Sequence, residues 1–203
     1  MKIVSTLSLF ILIGFASTTA AAVPSPSNST VPPCLVMCPA GDVANDIVVR
    51  DFANNPITAS SVVLDFSSCA SVVFCPSQPA GIALDLPSRT LRSFTDASGT
   101  AHFPARVGGT CGANGVRVYA DGVLLAFRAL ASPDQNGDFD VTAVDQAILG
   151  GKLGGTDPTA DFDCNGTVDA ADQAFVAAHL GHTCNDPTPN AASSWGRLKL
   201  IYR

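Results

Sequence analysis

The sequence predicts a mixed fold, in which a β-sandwich over residues 40–131 is followed by a small all-α pair of loop–helix units over residues 132–184. Two observations predict it. Residues 40–131 alternate short apolar runs with turn signals, as the strands of a half-buried sheet do. Residues 132–184 instead carry apolar side chains at helical spacing and contain an internal repeat. The composition changes at Ser132-Pro133, which therefore marks the predicted domain boundary.

The N-terminal residues have the layout of a secretory signal peptide over residues 1–22. Lys2 gives a short positive start, residues 7–15 form an apolar run, and residues 20–22 are small alanines that suit a cleavage site. That run is too short to span a bilayer, and no later stretch reads as a transmembrane segment. Residues 23–39 are rich in proline and serine and are predicted to form a flexible leader. We therefore expect a secreted protein, extracellular or on the cell surface.

Seven cysteines fit an oxidising compartment, where disulfide bonds persist. Because seven is an odd number, at least one cysteine is a free thiol, pairs with another chain or has another role. Connectivity does not follow from sequence alone. The pairings that we favour are Cys164–Cys184 and Cys69–Cys75.

The strand candidates are short, alternate apolar and polar residues, and are separated by turn-forming residues. Asp121-Gly122 joins the last two and is a strong signal for a two-residue hairpin. Strands at this spacing are typical of a β-sandwich. The candidates are residues 46–52, 61–66, 81–86, 100–106, 116–120 and 123–131.

The region that begins VVRDFANNPITASSVVLDF and ends FTDASGTAHFPARVGG resembles a bacterial immunoglobulin-like or transthyretin-like module. The resemblance rests on the turn D-x-x-x-N-P-I, the apolar strand after it, and the pattern T-D-x-x-G-x-A-x-F. It implies an immunoglobulin-like sandwich and a spacer or adhesive role. It does not imply a chemical reaction.

Two acidic stretches, DQNGDFDVTAVD at residues 134–145 and DFDCNGTVDAAD at residues 161–172, are separated by an offset of 27. They hold eight of the seventeen acidic residues, all of which are aspartate. The same offset aligns Gln146-Ala147 with Gln173-Ala174 and Leu153-Gly154 with Leu180-Gly181. An internal duplication of this kind indicates one structural unit that is used twice.

Each acidic stretch has the spacing of a calcium loop, in which positions 1, 3, 5, 7, 9 and 12 supply oxygen ligands and position 7 uses its backbone carbonyl. A divalent cation would explain why so many like charges lie together. We therefore expect two bound Ca²⁺ ions. The predicted ligands are Asp134, Asn136, Asp138, Asp140, Thr142 and Asp145 in the first loop, and Asp161, Asp163, Asn165, Thr167, Asp169 and Asp172 in the second.

A calcium loop followed by one helix that ends in Leu-Gly, repeated twice, resembles the type I dockerin module, a pair of F-hand calcium-binding units. Two departures matter. Position 6 normally needs glycine, which Gly166 supplies, but Phe139 holds that position in the first loop, so the first site is predicted to be weaker. Positions 10 and 11, where dockerins often carry hydroxylated recognition residues, are Ala143-Val144 and Ala170-Ala171.

The dockerin resemblance implies a secreted calcium-binding, protein-interaction protein that docks to a cohesin in a cell-surface or polysaccharide-degrading complex. One alternative is a structural or adhesive surface protein that calcium stabilises without a cohesin. A second alternative is a component associated with glycoside hydrolases. A cohesin-type protein and a carbohydrate-associated complex are thus the candidate partners.

The sequence gives little reason to expect an enzyme. Asp65 and Asp85 are the isolated strand carboxylates, and no histidine has a cysteine or serine at a suggestive spacing. His102, His179 and His182 are expected to be structural or exposed. A net charge of −6 argues against nucleic acid as a partner. Residues 185–203 form a predicted C-terminal tail that ends in SWGRLKLIYR.

Overall fold

A computed structural model describes residues 22–185 of the chain. The predicted signal peptide, except Ala22, and the predicted tail, except Asn185, lie outside these residues. Within residues 22–185, no helix is long and apolar enough to cross a membrane. The elements are β1 Leu35–Val36, β2 Asn45–Val48, β3 Ser61–Asp65, β4 Val73–Phe74, β5 Ala83–Asp85, β6 Thr90–Phe94, β7 Thr100–Phe103, β8 Val107–Gly108, β9 Cys111–Ala120, β10 Val123–Ala131, α1 Ala143–Gly150 and α2 Ala170–Ala178.

The larger sheet has six strands in the order β1-β10-β9-β3-β6-β5, and β2–β7 and β4–β8 form two small sheets. All pairs are antiparallel except β1 with β10. One buried cluster takes side chains from all three sheets, including Ile47, Leu64, Phe74 and Val118. Alternation produces this core, since Val62 and Leu64 of β3 are fully buried between partly exposed neighbours.

The predicted hairpin between β9 and β10 is confirmed. Asp121 and Gly122 have φ angles of 45° and 81°, and a type I′ turn needs positive φ at both central residues. Ala120 pairs directly with Val123 across the turn. The Asp121 carboxylate also accepts hydrogen bonds from the Ser60 hydroxyl and the Ser61 backbone N–H, both at 2.8 Å, which attach the turn to β3.

Residues 23–39 are predicted to form a flexible leader, but they are packed against the strands instead. We call β1 to β10 and the segments that connect them the β portion. Pro24 and Thr30 form backbone bridges with Asp51 and Val48, and β1 adds a parallel strand to the edge of the large sheet. The Arg128 guanidinium donates to the backbone carbonyl of Pro32. The proline-rich composition predicts flexibility because proline has no backbone N–H to donate to a neighbouring strand. Isolated β-bridges and hydrogen bonds from side chains nevertheless fix the segment in place.

The prediction of a separate, small all-α module is wrong. The helices α1 and α2 have only eight and nine residues, and they end before the predicted stops at Gly154 and Gly181. Helices of about two turns present too little apolar surface to enclose a core of their own. Their core is therefore shared with the β portion. Its members are Cys34, Val36, Cys38 and Ala40 around β1, Ala131 of β10, and Val141, Leu149, Ala160, Phe162, Val168 and Val176.

The structure has three disulfides, Cys34–Cys164, Cys69–Cys111 and Cys75–Cys184, and both favoured pairings are wrong. Two of the three join the β portion to the loop–helix units across 130 and 109 residues of sequence. Proximity along the chain favoured local pairs, whereas the fold brings distant segments together. Three disulfides indicate a protein of an oxidising compartment.

Candidate metal centres in the two acidic loops

The two acidic loops occupy equivalent places in the structure. Each loop runs directly into a helix, and its position 9 residue, Thr142 or Asp169, is the N-cap. Position 12, Asp145 or Asp172, completes a capping box by accepting from the backbone N–H of the N-cap residue. The cap therefore turns the position 12 carboxylate back toward the start of its loop.

Three carboxylates converge in each loop. In the first, Asp134, Asp138 and Asp145 offer oxygen atoms that all lie within 4.8 Å of one another, and in the second Asp161, Asp163 and Asp172 do the same. The side-chain amides of Asn136 and Asn165 lie beside these clusters and donate to carboxylates of Asp138 and Asp163 at 2.8 and 3.0 Å. Eight of the twelve predicted ligands are thus grouped around two points.

The side chains of the other four predicted ligands have different partners. Thr142 and Asp169 accept from backbone N–H groups at the helix starts, and the Thr167 hydroxyl donates to the Asn165 side chain at 2.7 Å. Asp140 is exposed. Asp140 and Thr167 were predicted to bind the ion through their backbone carbonyls. The side-chain contacts described here do not test that prediction.

The backbone of the two loops follows the same path despite the glycine difference. Position 6 has a left-handed φ in both, 77° at Phe139 and 92° at Gly166. Position 4 is also left-handed, with 74° at Gly137 and 59° at Cys164. An L-residue in this region costs about 1–2 kcal/mol. Each loop therefore places one glycine and one strained residue at these two turns.

The middle of each loop is held by the segment that follows the helix of the other unit. Val141 at position 8 donates to the carbonyl of His182 and accepts from Gly181, at 2.9 and 2.8 Å. Val168 makes the same pair of bonds with Gly155 and Gly154, both at 2.8 Å. The two valine side chains are buried. The loops are thus linked as a pair.

The carboxylates at positions 1 and 12 are buried in both loops, with exposures of 0% for Asp134, Asp145 and Asp172 and 6% for Asp161. None of the ion pairs among residues 22–185 includes them. Burial raises the pKa of Asp134 to about 6, although backbone N–H groups of Phe139 and Gly137 oppose the shift. Buried anions need a compensating charge, and an all-oxygen donor set suits a hard divalent cation. The residues fit Ca²⁺.

Sequence reasoning missed a third group of ligand-type side chains. Two of the histidines expected to be structural or exposed, His179 and His182, lie beside Cys38 and Asp42, and their ligand atoms are within 4.8 Å of one another. No spacing along the chain signals this group, because Cys38 and His182 are 144 residues apart. The third histidine, His102, is on β7 and hydrogen-bonds Asp46.

No protein-family model and no curated protein matches this chain. Among solved structures, the adhesin InvE of Yersinia pseudotuberculosis is similar at 19% sequence identity and a TM-score of 0.26. The match covers 54% of this chain and 28% of that one, so the chain spans less than a third of the length of the adhesin. A likeness at this level supports no conclusion about fold or function.

Proposed function

We propose that the protein is an exported, non-catalytic surface protein whose two acidic loops bind Ca²⁺ and thereby stabilise the junction with its β portion. The observation that carries the proposal is the duplicated set of buried aspartates without a cationic partner among the described residues. Two bound divalent ions would neutralise these carboxylates and lower the free energy of the folded state.

The proposed ligands follow from the positions of the side chains. Asp134, Asn136, Asp138 and Asp145 would hold the first ion, with the backbone carbonyl of Asp140. The second ion would be held by Asp161, Asp163, Asn165 and Asp172, with the backbone carbonyl of Thr167. The hard oxygen ligands and flexible loops are typical of calcium sites, whereas zinc sites use nitrogen and sulfur.

A structural or adhesive role is favoured over that of a docking module that moves independently of the β portion. Cys164 is at position 4 of the second loop and is bonded to Cys34 beside β1. Cys184, which follows α2, is bonded to Cys75 beside β4. Together with the shared core, these bonds hold the loop–helix units against the β portion. Bound calcium would then make the loop–helix units and the β portion more rigid as a single unit outside the cell.

A second candidate function, docking to a cohesin-type protein of a polysaccharide-degrading or cell-surface complex, is favoured by one observation. Positions 10 and 11 of both units are exposed, and Val144 has 56% of its surface accessible. Exposed small and apolar side chains at equivalent places in two units would suit a protein partner. The remaining residues of this surface are Ala143, Ala170 and Ala171.

Thermal unfolding in chelator and in saturating Ca²⁺ tests the proposal. We expect a higher melting temperature with Ca²⁺ for the unaltered protein and a much smaller rise for Asp172→Asn. Asp85→Asn is the matched control, because Asp85 is an exposed strand aspartate outside both loops. An equal Ca²⁺ effect in all three proteins would show that the second loop is not a binding site.

The second candidate has its own test, since Val144→Asp and Ala171→Asp alter the exposed surface without touching a proposed ligand. If a cohesin-type partner binds there, these changes should weaken binding to a panel of cohesin domains and leave Ca²⁺ stabilisation unchanged. If no cohesin domain binds the calcium-loaded protein, this candidate is wrong and the structural role is unaffected.

A further inference from the structure

We propose that Cys38, Asp42, His179 and His182 form a site for a zinc-type transition metal, separate from the two acidic loops and independent of the proposed calcium function. Cys38 and Asp42 follow β1, whereas His179 and His182 follow α2. One ligand atom from each side chain lies within 4.8 Å of the other three. The metal would therefore join the N-terminal segment of the β portion to the end of the second loop–helix unit.

Two tight turns bring the four side chains together. Gly41 donates its N–H to the carbonyl of Cys38 at 2.9 Å, and the turn places Asp42 beside the thiol. Gly41 has a φ of 75°, and a Cβ there would lie 2.7 Å from the Arg106 side chain, so the turn requires glycine. On the other side, His182 donates to the carbonyl of His179 at 3.0 Å, and their rings lie 5.1 Å apart.

Three of the distances among the four ligand atoms are close to the edges of a coordination tetrahedron. Asp42 Oδ2 lies 3.5 Å from His179 Nε2 and 3.3 Å from His182 Nδ1, and Cys38 Sγ lies 3.6 Å from His182 Nδ1. Zinc–ligand bonds of about 2.0 Å to N or O and about 2.3 Å to S give tetrahedral edges of about 3.3 and 3.5 Å. The chain supplies a comparison, because His102 Nδ1 and Asp46 Oδ1 form an ordinary hydrogen bond at 2.7 Å.

The orientation of His179 is fixed in the way that metal ligands require. Its Nδ1 lies 2.7 Å from the backbone carbonyl of Phe175. A carbonyl only accepts hydrogen bonds, so Nδ1 carries the proton, and in the neutral ring the lone pair is on Nε2, which faces Asp42. The ring also stacks on the Phe175 ring, with centroids 4.2 Å apart. Both contacts hold Nε2 toward the centre of the group.

A cysteine–histidine–aspartate group could also serve a nucleophilic reaction, but the geometry is against it. In a catalytic triad the nucleophile and the carboxylate contact different nitrogens of the histidine ring. Here Cys38 and Asp42 both approach Nδ1 of His182. Cys38 is also fully buried, out of reach of a substrate. Convergence on one nitrogen is what coordination to a shared ion produces.

The donor set identifies the class of metal. One thiol, two imidazoles and one carboxylate suit Zn²⁺, whereas Ca²⁺ takes oxygen ligands. Four protein ligands complete a tetrahedron, as in structural zinc sites. The side chains of Asp42 and His182 keep 36% and 32% of their surface exposed, which gives an ion access. Because the His182 carbonyl accepts from Val141, the site also contacts the first acidic loop through the backbone.

The test uses the mature protein with its disulfides intact, stripped of metal and then saturated with Ca²⁺ to fill the acidic loops. Titration with Zn²⁺ should show one bound ion that excess Ca²⁺ does not displace. Co²⁺ should give the visible absorption of a tetrahedral complex and a near-ultraviolet sulfur-to-cobalt charge-transfer band. The band should be absent in Cys38→Ser. Zn²⁺ affinity should fall more than about 100-fold in His179→Gln, which exceeds the effect of losing a residue that only hydrogen-bonds a metal ligand.

The control is His102→Gln, which removes a histidine that lies outside the group and should leave Zn²⁺ binding unchanged. The proposal is overturned if the unaltered protein binds no Zn²⁺, if Co²⁺ gives no sulfur band, or if Ca²⁺ displaces Zn²⁺. These three readouts use the unaltered protein and so stand even if a variant fails to fold. Loss of Ca²⁺ binding with retention of the Zn²⁺ site would overturn the calcium function alone.

Discussion

Cys34 and Cys164 are joined by a disulfide that connects the segment beside β1 to position 4 of the second acidic loop, across 130 residues of sequence. The loop is thus fixed by a covalent bond to a distant part of the chain. A crosslink over so long a loop restricts the unfolded chain strongly, by about 4–5 kcal/mol in the chain-entropy description.

Removal of this bond, by Cys34→Ala with Cys164→Ala, should lower the free energy of unfolding by about 2–5 kcal/mol. It should also weaken Ca²⁺ binding at the second loop more than at the first, since position 4 of the second loop is no longer anchored. Urea unfolding and Ca²⁺ titration measure the two effects. Cys69→Ala with Cys111→Ala is the control, because that bond lies within the β portion and should change stability alone. Equal loss of Ca²⁺ affinity in both double variants would contradict the expectation.

Phe139→Gly should raise the melting temperature of the calcium-loaded protein. Phe139 has a φ of 77°, a conformation that costs an L-residue about 1–2 kcal/mol and glycine little. Phe139→Ala is the control, because alanine removes the ring but keeps the backbone cost. Differential scanning calorimetry should give a higher melting temperature for Phe139→Gly than for Phe139→Ala. The reverse order would mean that the backbone strain is not at this residue.

Arg106→Met should destabilise the protein by about 2–4 kcal/mol, because it removes charge-assisted hydrogen bonds within a buried region. The Arg106 side chain is 2% exposed and donates to the carbonyls of Pro39 and Thr183 at 2.7 and 3.1 Å. It therefore ties the segment after β1 to the segment after α2. Arg92→Met is the comparison, since Arg92 is exposed and its loss should cost less than about 0.5 kcal/mol. Chemical denaturation distinguishes the two.

His102 should titrate above its ordinary pKa. The hydrogen bond that the His102 ring donates to the Asp46 carboxylate raises the pKa of His102, and the charges of Asp46 and Asp96 act in the same direction. Because the folded-state value is the higher one, this stabilisation is complete below the unfolded pKa near 6.5 and is lost as pH rises through the folded pKa. The ring is more than half exposed, so the effect on stability should be below about 1 kcal/mol.

Proton NMR titration of the His102 ring measures this pKa directly. Asp46→Asn should return it toward its ordinary value, and Asp121→Asn, a turn aspartate with other partners, should not. An unshifted value in the unaltered protein would show that the Asp46 hydrogen bond does not form in solution.

The sequence was informative where the cause of a feature is local. Asp121-Gly122 predicts its hairpin because few residue pairs adopt two positive φ angles, and the repeat predicts equivalent loops because its residues recur in the same order. It was uninformative where distant segments meet. The partners of Cys164 and Cys184, the burial of the leader, and the group around Cys38 all depend on how the β portion and the loop–helix units pack. The prediction of a separate all-α module was wrong for the same reason, since the core of the loop–helix units includes Val36 and Ala131 of the β portion.

The proposed calcium sites are two aspartate clusters, each with two buried carboxylates and one exposed carboxylate. Isothermal titration of the chelator-stripped mature protein with Ca²⁺ tests this claim most directly, with Asp145→Asn and Asp172→Asn measured in parallel. We predict two bound ions for the unaltered protein and one for each variant, with the tighter ion lost in Asp172→Asn. Absence of saturable binding at about millimolar Ca²⁺, the weak end for extracellular calcium modules, would contradict the claim.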